Sequence, residues 1–229
     1  MCIKSGENLN DEVKQATETS VNANMSEQDL EAMAIISQLQ IEQLLGCSID
    51  IKAGTALYRL QPGSYGGISV YFSLSGKEHR YSLTDGINGS MYLAYDPKTA
   101  LKEVFQKKKS LRESDLDNYY MGMVAIEKDV KILQVKQLVS KTRLTINHVT
   151  TARRAVTQLL AARARAAGFD GMEYLSNVTG EACLVLWHDN VAGTGMAVTH
   201  CQTCLSHFNY NGKDAADILV YDLNIPVEE

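Results

Sequence analysis

The chain has 229 residues, 45% of them hydrophobic and 21% charged, and a formal net charge of −5. These values exclude a wholly disordered, collagenous or coiled-coil polypeptide. The acidic balance disfavours nucleic acid and an anionic membrane as partners. No apolar run approaches the ~18 residues of a membrane span, and the longest, Ala182–Trp187, has the length of a buried strand. The first residues, MCIKSGENLNDEVK, lack the apolar core of a signal peptide. Five cysteines, an odd number with Cys2, Cys47 and Cys183 scattered singly, argue against a disulfide scaffold. A reducing compartment, and hence a cytoplasmic location, is the expectation.

Residues 1–25 are polar and without periodicity, so they read as a flexible lead-in. Ser26 is a candidate N-cap with Glu27 and Asp29 in the first turn. Ile36, Leu39, Ile41, Leu44 and Leu45 then predict a helix over about 27–45, ended by Gly46. It forms an N-terminal helical unit, 26–50, ahead of a main domain, 51–229. Three short runs follow, Leu57–Leu60, Ile68–Phe72 and Met91–Tyr95, rich in aromatic or branched residues and separated by Gly, Pro, Ser and Asn. They predict strands.

Asp96-Pro97 is a helix start, with Asp as N-cap and Pro at the first helical position. Ala100, Leu101, Val104 and Phe105 share one arc of that helix, and Glu103 falls outside it. Met121–Ile126 and Val130–Val135 predict a strand pair, and residues 151–167 predict a helix closed by Gly168. Asp170–Tyr174 turns into a strand, and Cys183–Trp187 and Ile218–Tyr221 complete the β material. There is no internal repeat and no βαβα alternation. The expected fold class is α+β, with mixed or antiparallel sheets and flanking helices.

Several motifs are missing. There is no GxxxxGK loop, no GxGxxG after a strand, no HExxH and no GxSxG. Cys201-x-x-Cys204 has only His200 and His207 as nearby donors, which is too little for a structural zinc site, so no metal is expected. Arg153, Arg154, Arg163 and Arg165, like Lys107–Lys109, read as solvated surface on an acidic protein.

The informative residues lie in a particular order. Arg59 sits within Leu57-Tyr58-Arg59-Leu60, Arg80 precedes Tyr81, Tyr92 is in a strand, Glu103 follows on a helix, and Ser176 ends Tyr174-Leu-Ser. The segments Gly89–Val104 and Gly168–Ser176 carry the same order, Tyr92 to Glu103 most specifically, whereas Arg59 and Ser176 rest on short matches. Over about 54–190 this arrangement resembles the RES-domain family, named for Arg, Glu and Ser. The family often reads GRWN or GRFN where this chain has His79-Arg-Tyr-Ser82.

The resemblance implies an ADP-ribosyltransferase-like fold and a bacterial toxin enzyme that degrades NAD+ by cleaving the nicotinamide–ribose bond. The acceptor would be water or phosphate, making it a glycohydrolase or phosphorylase. It also implies a neutralising immunity or antitoxin partner and action in the bacterial cytosol, with delivery by a secretion system left open. NAD+ would be the substrate, with no cofactor. Glu103 would stabilise the cationic ribose as nicotinamide leaves. Arg59, and then Arg80, would take the pyrophosphate through a planar guanidinium. Tyr58 and Tyr92 would offer aromatic platforms, and Ser176 a hydroxyl. Glu103 and Arg59 are expected to converge on one dinucleotide-sized hollow. Two alternatives stay open: transfer of ADP-ribose to a macromolecule, and a non-catalytic NAD-binding module.

Overall fold

A computed structural model describes residues 25–76 and 79–229. The expected lead-in lies almost wholly outside them. Helix α1 covers Glu27–Gln38, and Ser26 caps it by accepting from the Asp29 N–H at 3.1 Å. The predicted single helix to residue 45 is two. Leu39 and Gln40 leave helical geometry, and a short α2 covers Ile41–Leu45. The break is stabilised locally. The Gln40 side chain donates to the Gln38 carbonyl, and Gln43 Oε1 accepts from the Gln40 N–H at 2.9 Å.

Eight strands form one mixed sheet. They are β1 (Ser48–Ile51), β2 (Ala56–Pro62), β3 (Gly89–Ala94), β5 (Tyr119–Ile126), β6 (Val130–Gln134), β7 (Gly171–Leu175), β8 (Ala182–His188) and β9 (Ala197–Cys204). Their order is β1-β6-β7-β8-β3-β2-β5-β9. Within this sheet, among the described residues, only β6 and β7 pair in parallel. A parallel neighbour needs a long crossover, and the chain supplies one in three helices: α4 (Val135–Lys141), α5 (Ile146–Thr150) and α6 (Arg154–Ala166). Gly168, at φ 84°, ends this crossover.

The alternation of side chains along the strands divides the core in two. On one face Leu60, Ala94, Met172, Cys183, Val185 and Trp187 pack against Ala32 and Ile36 of α1, Leu160 and Ala164 of α6, and Leu101 and Phe105. On the other face Leu57, Met91, Leu93, Val124, Leu184 and Leu186 pack with Val70 and Phe72. Leu101 and Phe105 belong to α3 (Pro97–Phe105), which lies on the first face.

Two predicted strands are not strands. Residues 68–72 form an extended cover on the second face, because their N–H groups find partners outside any ladder. Thr199 Oγ1 accepts from Ser69 and Val70, and the Val191 carbonyl accepts from Phe72. The cover touches the sheet closely, since a Cβ at Gly122 would stand 2.1 Å from Ser69 Oγ. Ile218–Asp222 is a wide helical turn instead of a strand, with Ile218 and Leu219 both buried. Strand β9, in contrast, was not expected.

The end of the chain grips α3 from behind. Lys98 pairs with Asp222 at 2.7 Å, and Lys102 donates to the Leu223 carbonyl at 2.6 Å. Beyond it, Val227–Glu228 runs parallel to β4 (Leu111–Arg112).

Candidate active site

Helix α3 begins as the sequence predicts. Asp96 accepts from the Lys98 N–H at 2.6 Å, with Pro97 at the first helical position. Ala100, Leu101 and Phe105 are buried, which leaves Glu103 on the flank of the helix, half-buried.

Ser176 follows the last residue of β7 and is 3% exposed. Its hydroxyl donates to Glu103 Oε1 and accepts the N–H groups of Val178 and Thr179, each at 3.0 Å. The hydroxyl is thereby fully engaged, while the second Glu103 carboxylate oxygen has no partner among the described residues. The next residue, Asn177, accepts from Arg80 Nη1 at 2.8 Å and donates to the Thr150 carbonyl at 3.2 Å. The Arg80 guanidinium stands 5.3 Å from the Tyr174 ring centre, within cation–π reach. Tyr92 donates through its hydroxyl to the Arg80 carbonyl. Having given away its one hydrogen, it takes Ser82 as donor at 2.6 Å.

Tyr174 and Cys183 form the floor beneath these groups as paired residues of β7 and β8. Burial, more than any neighbour, pushes the Cys183 thiol up to about 12, and the nearby Glu103 carboxylate adds to the effect. Burial likewise raises Tyr174 and Tyr92 well above the ordinary phenol range, with Cys183 the next contributor for Tyr174. These phenols and the thiol are therefore neutral donors or acceptors near neutral pH, and none is a nucleophile there.

The expected convergence of Arg59 with Glu103 is not what the structure holds. Arg59 shares its face of β2 with Leu57 and stands opposite Gly122 of β5, and so lies on the opposite side of the sheet from α3. Its Nη1 donates to the carbonyls of Ser69 at 3.0 Å and Tyr71 at 3.2 Å. To meet a ligand beside Glu103 the guanidinium would have to abandon both carbonyls and cross the sheet. Desolvation lowers its affinity for a proton, with Tyr65 and Tyr71 opposing. Tyr58 does lie on the Glu103 face, but its ring meets Tyr210 edge-on at 6.3 Å. Glu103, Ser176, Arg80 and Tyr92 are thus brought together, and Arg59 is set apart.

Three hollows meet around the 176–181 turn. The largest, about 440 Å³, is walled by Tyr81, Val149, Leu175, Ser176 and Asn177, with Lys136 at its side. A second, about 280 Å³, shares Lys136, Leu175 and Gly180 with it and continues along Tyr174 and Glu173. A third, about 310 Å³, lies against Asp96, Thr99 and Glu181. Shared lining residues join them into a groove of ligand-binding size. Glu103 lines none of them directly and meets the first through Ser176. One end of the groove is acidic, through Asp96, Glu173 and Glu181. The other has Lys136 and, through Asn177, Arg80. Among the described residues no group of three or more His, Cys, Asp or Glu is placed to hold a metal ion, and no helix is long and apolar enough to cross a membrane.

The sequence model of the RES domain matches residues 56–208, more than half of the chain. The chain belongs to the RES-domain family. The matched RES span includes Arg59, Arg80, Tyr92, Glu103 and Ser176, and excludes α1 and everything after Phe208. Among solved structures, the crystal structure of the M. tuberculosis MbcT–MbcA toxin–antitoxin complex contains a similar chain. The TM-score is 0.54 and the identity 12%, over 71% of this chain and 90% of that one. The fold is therefore shared: a RES domain of the α+β, ADP-ribosyltransferase-like kind. No curated protein matches the chain. Asn177, Tyr174, Cys183 and Lys136 were not among the RES residues that the sequence singled out. Asn177 stands next to Ser176 and reads as an ordinary turn residue, whereas Tyr174 and Cys183 become neighbours only when β7 pairs with β8.

Proposed function

We propose that this RES domain is a toxin enzyme that consumes NAD+ by breaking the bond between ribose C1′ and the nicotinamide nitrogen. The observation that carries this reading is the Glu103 carboxylate, anchored through one oxygen by Ser176 and open at the other, with the Arg80 guanidinium held by the next residue, Asn177. The bond's electron pair leaves with nicotinamide as a neutral base. C1′ becomes electron-poor, and a fixed carboxylate lowers the energy of that state. Water or phosphate then adds to C1′ on the exposed face. When water is the acceptor, its proton passes to solvent through the carboxylate. Arg80 supplies the planar cation for the pyrophosphate. NAD+ is consumed in this scheme, which agrees with the missing Rossmann fingerprint.

Family membership supports the toxin reading, and the similar chain comes from a toxin–antitoxin complex. A neutralising protein partner that fills the groove is accordingly part of the proposal. In the test, purified protein is incubated with NAD+ in buffer with and without inorganic phosphate, and nicotinamide and the ribosyl product are resolved by chromatography and mass. Free nicotinamide with ADP-ribose marks hydrolysis, and a phosphorylated ADP-ribose marks phosphorolysis. Folded, partner-free protein that releases no nicotinamide in either buffer overturns the reading.

A further inference from the structure

Tyr81 stands in the left-handed region at φ 61°, although it has a full side chain and is 1% exposed. That conformation is strained for a non-glycine residue and persists only where surroundings enforce it. Here they do so from three directions. The Tyr81 hydroxyl donates to the Val149 carbonyl at 2.5 Å. Its carbonyl accepts Trp187 Nε1–H at 2.9 Å. Its ring lies against Tyr174 at 5.1 Å. The residues on either side are fixed as well, since Tyr92 accepts from Ser82 and donates to the Arg80 carbonyl.

This turn aims one group. The Arg80 guanidinium is held over the Tyr174 and Tyr81 rings, at 5.3 and 5.7 Å, and its Nη1 reaches Asn177 beside Ser176. An extended residue 81 would send Arg80 elsewhere. We propose that Tyr81 is a positioning residue whose enforced backbone fixes Arg80 for the pyrophosphate of the substrate. The role rests on the NAD+ reading above, and it makes an anion site of a side chain that would otherwise range freely over the surface. Tyr81 also lines the 440 Å³ hollow, so the same residue forms part of the wall and aims the cation.

The test compares wild type with Tyr81→Phe, Arg80→Ala and the double variant. It measures KM and kcat for NAD+, and the Kd of ADP-ribose by calorimetry. Tyr81→Phe removes only the hydroxyl that reaches Val149, and it is expected to raise KM and Kd roughly five- to tenfold, the scale of one hydrogen bond lost in a buried place. Its kcat should stay within about twofold, because Arg80 grips substrate and transition state alike. The double variant should bind no worse than Arg80→Ala alone, showing that Tyr81 acts through Arg80. Trp187→Phe, which removes the N–H that holds the Tyr81 carbonyl, should shift Kd in the same direction and guards against a Tyr81 variant that does not fold. Multiplying effects in the double variant, or a kcat loss without a change in Kd, overturns the positioning role. If wild type binds ADP-ribose but releases no nicotinamide, the hydrolase reading falls while the Kd series still decides the role of Tyr81.

Discussion

The two faces of the β2–β3 part of the sheet each carry an arginine near a polar cluster, and they treat it differently. On the helix side the Arg80 guanidinium, among the described residues, meets side chains only: the Asn177 amide and two aromatic rings. On the other side Arg59 is bound to two main-chain carbonyls of the 68–72 cover. A guanidinium held by side chains can exchange a partner for an incoming phosphate at small cost. One held by carbonyls cannot leave without stranding them. The residue type is the same, and the partner decides whether it is available for chemistry.

Mutations can break or sharpen this division. The largest effect is expected from Glu103→Gln, which should lower kcat by about 100- to 1,000-fold with a much smaller change in KM, since the charge acts when the ribose becomes cationic. Steady-state nicotinamide release measures it. Ser176→Ala should lower kcat/KM by about 10- to 100-fold, because it frees the carboxylate and leaves two N–H groups of the 176–181 turn without their acceptor.

Arg80→Ala should raise KM about tenfold, and Arg80→Lys should recover only part of the loss because a lysine cannot reproduce the fork. Arg59→Ala should cost about 1–3 kcal/mol of stability, seen as a fall of several degrees in Tm, with turnover per folded molecule largely kept. A folded Arg59→Ala protein without turnover would break the division, and would mean that the guanidinium leaves Ser69 and Tyr71 for the substrate.

The smallest effect concerns alkali. An unfolded thiol ionises near 8.5, whereas Cys183 in the folded protein holds its proton to about 12. Across that interval the unfolded chain binds fewer protons, so stability falls as pH rises through it. Tyr81, also pushed up to about 12 by burial, adds to the fall from about pH 10 upward. Cys183→Ser should make the alkaline decline measurably shallower in denaturant titrations between pH 8 and 10.5. At pH 8, alkylation should mark the exposed Cys201 well before Cys183.

Much of the active face was legible beforehand. Asp96-Pro97 determines where α3 starts, and with it the angular position of Glu103, since capping and the ~100° turn leave little freedom. Ser176 needed the family order, because a serine in a turn has no signature of its own. The side of Arg59 was not legible, and the reason is plain in the residues. Leu57 and Leu60 are both apolar but an odd number of positions apart, so alternation cannot say which way Arg59 points. The 68–72 segment has the composition of a strand, yet the Thr199 hydroxyl and the Val191 carbonyl satisfy its N–H groups from far along the chain. Ile218–Asp222 misled for a related reason: burying consecutive apolar residues suits a strand between two layers and a helical turn under a lid equally well.

The grip of the final residues on α3 has a bearing on control. Lys98 and Lys102, one turn apart, are tied to Asp222 and Leu223. Such mooring restrains the α3 backbone, so the motions expected nearest Glu103 are side-chain torsions on the picosecond-to-nanosecond scale. On the proposed function, the partner is expected to act on such a socket by obstruction, not by deformation.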